Sequence, residues 1–102
     1  MNLTEEQLQK VKELAALFLS PDEIAVLMGV DIDSLVNEIA SRKGTVYCAY
    51  LLGKSESKKA IRENIIKMAK HGSPQAEELA ERYIKEQELE ERKHGRKYGT
   101  HR

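Results

Sequence analysis

Residues 20–39, SPDEIAVLMGVDIDSLVNEI, leave the chain few folds to choose from. Ser20 suits the cap of a helix, Pro21 its first position, and Glu23 completes an S-x-x-E capping box. Ile24, Ala25, Leu27 and Met28 supply an apolar face at helical spacing. Gly29 ends the helix, because a left-handed residue there needs no Cβ. Val30 fills the corner, and Asp31 caps a second helix that turns Leu35, Val36 and Ile39 inward. An alanine before the turn, a glycine within it and paired aliphatics after it form the packing skeleton of a helix-turn-helix. Ala25 is small where the two helices would cross.

Thr4 and Gln7 form a T-x-x-Q box ahead of Leu8, Val11, Leu14, Ala15 and Phe18, which recur every three or four residues. This predicts a first helix that completes a three-helix core over residues 1–44, with Phe18, the only phenylalanine, at its centre. Arg42, Lys43 and Gly44 close the third helix, the cations being favourable at its negative end. Residues 45–70 contain no proline and carry an apolar stripe of Val46, Tyr50, Gly53, Ser57, Ile61, Ile65 and Met68. They predict one long helix, with a bend or a close crossing at Gly53. The serines that follow Gly53 offer a cap for a fresh helix as the alternative. His71-Gly72 ends the helix and Ser73-Pro74 starts another, turned back as a helical hairpin over residues 45–91. Residues 92–102, RKHGRKYGTHR, lose periodicity and read as a flexible basic tail. The fold class is all-α.

The 102 residues suit one small domain with an extension, and the 33% of charged residues and absence of tryptophan suit a soluble helical protein. No apolar run reaches the ~18–20 residues of a membrane span, so no membrane partner is expected. Cys48, the lone cysteine, fits a reducing cytoplasm and excludes an internal disulfide. Net charge is zero but unevenly spread. Residues 1–41 sum to −6, 42–71 to +6, 72–91 to −5 and 92–102 to +5, an alternation suited to contact with a polyanion or another copy.

Catalytic signatures are lacking: there is no phosphate loop, HExxH or GxSxG. His71, His94 and His101 are dispersed, and Cys48 has no basic partner nearby in sequence. Asp31 and Asp33 are accounted for by helix capping. Neither an enzyme nor a cofactor is expected.

In order, the motifs LSPDEIAVLMGVDIDSL and VYCAYLLGK are followed by Ala60, Ile66, Ala69 beside Lys70, then Gly72, Ser73, Pro74 and Ala76. As a set, spread over nearly the whole length, they resemble the short phage terminase small subunits. That resemblance implies helix-turn-helix binding to viral double-stranded DNA, homo-oligomerisation through helical segments, often as rings, and delivery of DNA to a terminase large subunit. It also implies a phage or prophage protein acting in the bacterial cytoplasm.

The exposed positions early in the second helix of the motif are Asp31, Ile32, Asp33, Ser34, Asn37 and Glu38. Carboxylates are repelled by phosphate, which leaves Ser34 and Asn37 as the neutral readers. Either the motif is a packing scaffold, or DNA binding leans on the long helix and the tail. The candidate DNA-binding residues are therefore Ser34, Asn37, Arg42, Lys43, Lys54, Lys58, Lys59 and Arg62, with Lys93, Arg96 and Lys97 adding nonspecific attraction. Two other functions use the same features. A transcriptional regulator would prefer a palindromic site, and a protein-interaction adaptor would join acidic and basic faces without DNA.

Overall fold

A computed structural model of the chain describes residues 1–98, with side chains to residue 93. Five helices, α1 (Glu5–Ala15), α2 (Pro21–Met28), α3 (Ile32–Ala40), α4 (Gly44–Lys70) and α5 (Pro74–Tyr98), make up the ordered structure of the described residues, which contain no strand. The class is all-α.

The first three helices begin where their side chains can satisfy free backbone donors. Thr4 and Gln7 form a reciprocal capping box, and so do Ser20 and Glu23. The Asp31 carboxylate accepts from the Ser34 N–H at 2.9 Å. Gly29 takes φ +71° at the end of α2. Ile24, Ala25, Leu35, Val11 and Ala15 are fully buried, with Ile39 and Val46 nearly so. Half-buried Leu8, Leu14, Met28, Val30, Tyr47 and Tyr50 pack around them.

Two expectations about this core are corrected. Phe18 is 48% exposed and is not the centre, which Ile24, Leu35 and Val11 occupy instead. It lies two residues beyond the α1 cap, with φ +61° at the corner into α2, and the half-buried Leu14 and Leu19 pack inward in its place. Leu27 is 62% exposed. In so short a helix the inward arc is filled by Ile24, Ala25 and Met28, and a residue three after Ile24 falls outside it.

The chain divides into two compact units, Met1–Ala60 and Ile61–Arg102. The first extends past residue 44 because the start of α4 belongs to the same core through Val46, Tyr47, Ala49 and Tyr50. Gly44, at φ +92°, opens α4 rather than closing α3; Ser41 caps α3, and Arg42 takes the left-handed turn at φ +60°. No break interrupts α4 at Gly53. The glycine marks a close crossing, since a Cβ there would fall on the carbonyl of Lys12 in α1. The Lys12 amine meets Glu56 at 3.4 Å beside the crossing.

In the second unit, the turn after Lys70 closes through Gly72 and Ser73, whose hydroxyl accepts from the Ala76 N–H. Ala76 is buried, and Ile65, Ile66, Ala69, Leu79, Ala80 and Tyr83 are half-buried. The Arg62 guanidinium lies over the Tyr83 ring at 4.3 Å and reaches Glu86 at 3.5 Å. The expected flexible tail from residue 92 is corrected as far as Tyr98, because α5 continues to that point. Strong helix formers run from Glu86 through Lys93, and cations gathered at the end of a helix oppose its negative pole. These terms offset the roughly 1 kcal/mol cost of Gly95. Residues 99–102, the remainder of that segment, lie outside the described residues.

Candidate nucleic-acid interface

The first turn of α3 presents mostly acid and hydrocarbon. Asp31, Ile32 and Asp33 are exposed. The hydroxyl of Ser34 donates to Asp31 Oδ2 at 2.8 Å, so this side chain is already engaged in the helix cap. The same contact, with the Ser34 N–H as the lesser cause, holds the Asp31 carboxyl below its ordinary pKa and so keeps the charge in place. Glu38 pairs with the N-terminal ammonium at 3.0 Å. Asn37 is exposed and neutral.

Cations gather after α3. Arg42 and Lys43 are exposed on the turn into α4, where the Ser41 hydroxyl donates to Glu38 O at 2.6 Å and lies 3.2 Å from Lys43 O. One helical row along α4 carries Lys54 and Lys58 at i and i+4. Lys54 is partly committed, its ammonium lying 4.9 Å from the centroid of the Tyr50 ring and donating to Tyr50 Oη at 3.4 Å. Lys58 is exposed, and no ion pair holds it among the described residues. Lys59 lies on the opposite flank of α4 and is engaged in an interaction of its own. Within the first unit, Arg42, Lys43, Lys58 and Lys59 are exposed beyond α3 and Lys54 is half-buried, while Lys10 stands exposed on α1.

Arg62 lies near the start of the second unit and is half-buried between Tyr83 and Glu86, where it ties α4 to α5. Lys93 is exposed on α5. The side chains of Arg96 and Lys97 lie outside the described residues.

One face of α5 differs from its expected acidic character. The composition of residues 72–91 predicts an acidic segment with its glutamates outward. Helical register, however, brings Arg82, Lys85, Leu89, Arg92 and Lys93 onto one exposed stripe, with Glu78 at its N-terminal end. The spacing i, i+3, i+7, i+10 was available in the sequence, but the expected helix end at residue 91 divided the stripe.

No helix among the described residues is long and apolar enough to cross a membrane. Comparison with protein-family models, curated proteins and solved structures finds no match to the chain.

Proposed function

We propose that the chain is a non-enzymatic, homo-oligomeric DNA-binding protein of the terminase small-subunit kind, which engages duplex phosphates mainly through the α3–α4 turn and the basic row of α4. The observation that carries this reading is a contrast in exposed charge within the first unit. The first turn of α3 exposes Asp31, Ile32 and Asp33, whereas Arg42 and Lys43 stand exposed on the turn into α4 and Lys58 further along α4. In such an arrangement a helix-turn-helix would orient the duplex through Asn37 while the lysines and arginine supply the affinity. The resemblance of the ordered sequence motifs supports the packaging role, with the large subunit as the receiving partner in the bacterial cytoplasm.

Fluorescence anisotropy with a labelled duplex between ~50 and ~200 mM salt tests it. Each phosphate neutralised adds about −0.9 to the slope of log K against log salt. Lys43→Glu with Lys58→Glu is expected to flatten the slope by about two such steps and to weaken binding to all sequences alike. Absence of binding to any duplex at ~50 mM salt would overturn the reading. A strong preference for one palindromic site would favour a transcriptional regulator.

A further inference from the structure

Helix α2 turns an apolar surface outward. Val26 and Leu27 are each 62% exposed, and with Leu19, Asp22 and Glu23 they line an open groove of about 320 Å³. Its lining is hydrocarbon, contributed in part by the acidic residues Asp22 and Glu23, and Leu17, 68% exposed, lies in the turn that leads into α2. Such a groove suits an amphipathic helix whose apolar knob is surrounded by cations. Duplex DNA does not fit it, because the two carboxylates would face phosphate.

The α5 stripe has the complementary pattern. Leu89 is 47% exposed and is flanked along the helix by Arg82, Lys85, Arg92 and Lys93. No ion pair holds these four cations among the described residues. Arg82 to Lys93 spans about 16 Å at 1.5 Å per residue, long enough for cations to reach the carboxylates of a groove that receives the leucine.

We infer that the groove of α2 is a docking site for a second copy of this chain, which inserts Leu89 of its α5 and sets Arg82, Lys85 and Arg92 against Asp22 and Glu23. This rests on the self-association part of the function proposed above and gives that association a surface. Groove and stripe are different patches, so the contact is heterologous, and each copy keeps one free groove and one free stripe. Repetition therefore builds a closed ring or an open filament rather than a two-fold dimer. The cations of the α3–α4 turn and of Lys58 take no part and stay available to DNA.

The test is molar mass by light scattering and sedimentation across a concentration series of the full chain. Variants Val26→Ser with Leu27→Ser, Leu89→Ser, Asp22→Lys and Lys85→Glu are measured beside it. All of these side chains are exposed, and circular dichroism checks that the helices survive. The wild type is expected to assemble beyond a dimer, and each variant to weaken assembly about tenfold or more. An equimolar mixture of Asp22→Lys and Lys85→Glu chains is expected to recover part of the lost mass, since reversed groove then meets reversed stripe. A monomeric or strictly dimeric wild type overturns the inference, as does assembly indifferent to both groove and stripe variants. Anisotropy with the same duplex on the same samples separates the two readings. If Lys85→Glu lowers DNA affinity and leaves the mass unchanged, the stripe is a phosphate contact and the docking inference fails while DNA binding stands. If mass falls and DNA affinity was never present, the docking inference stands alone.

Discussion

At Gly53 helix propensity and packing oppose each other. Alanine is favoured over glycine in a helix interior by about 1 kcal/mol. A Cβ at this position, however, meets backbone rather than a movable side chain, with the Lys12 carbonyl carbon 2.9 Å away. Overpacking of this sort costs about 1–3 kcal/mol, so packing should win. Gly53→Ala is expected to lower the urea midpoint, and a gain in stability would show that α1 and α4 cross less closely. Phe18 gives the reverse case. A core phenylalanine loses about 3–5 kcal/mol on truncation to alanine, but Phe18 is half in water and holds a left-handed backbone. Phe18→Gly is expected to cost under ~1 kcal/mol, because glycine relieves the φ that phenylalanine must adopt. A loss of core magnitude in the same urea titration would return Phe18 to the centre of the fold.

At the scale of elements, the short helices depend on their caps. Helix α2 has eight residues and is closed at its start by the Ser20–Glu23 box. An isolated helix of that length has little stability of its own. Ser20→Ala is expected to cost about 1 kcal/mol, read from thermal melts. Helix α3 adds a dependence on pH. The folded Asp31 carboxyl titrates below its ordinary value of 3.8, first because of the Ser34 hydroxyl and then its N–H. A carboxyl whose pKa falls on folding contributes stability above its unfolded pKa and loses it as pH drops through the folded one. The wild type should therefore lose more stability between pH 5 and pH 2 than Asp31→Asn, and equal losses would show that the cap carries no charge. These caps, with Gly29 and Ala25, were legible in the sequence because each acts within one turn of chain. The unbroken α4 was legible too, from an apolar stripe without proline. What the sequence concealed depends on neighbours. Leu27 has helical spacing but lost its place to Met28, and Arg62 looked like a surface cation until Tyr83 and Glu86 enclosed it. The bond from the Ser34 hydroxyl to Asp31 likewise depends on the rotamer the folded cap selects.

Across the whole molecule the apolar core is unevenly shared. Seven of the buried hydrophobic residues, from Val11 to Val46, form one cluster in the first unit. Among the described residues after Ala60, the buried side chain is that of Ala76, while Ile61, Met68, Ile84 and Leu89 stand about half in water. Two helices with so small a core cannot offset the backbone entropy of ordering them by burial alone, so local propensity and the Arg62–Tyr83 contact must supply much of their stability. Local opening free energies follow such differences in burial. Hydrogen exchange in dilute solution is therefore expected to protect amides of α1–α3 more strongly than those of residues 61–93, by about 2 kcal/mol or more. Uniform protection along the chain would mean that the second unit unfolds only with the first. If the charged and apolar stripe of α5 docks on another copy, raising the protein concentration should lift protection in residues 82–93 and around Val26 and Leu27 together, because binding stabilises the bound form by mass action. Protection that rises at α5 alone would locate its partner surface somewhere other than α2.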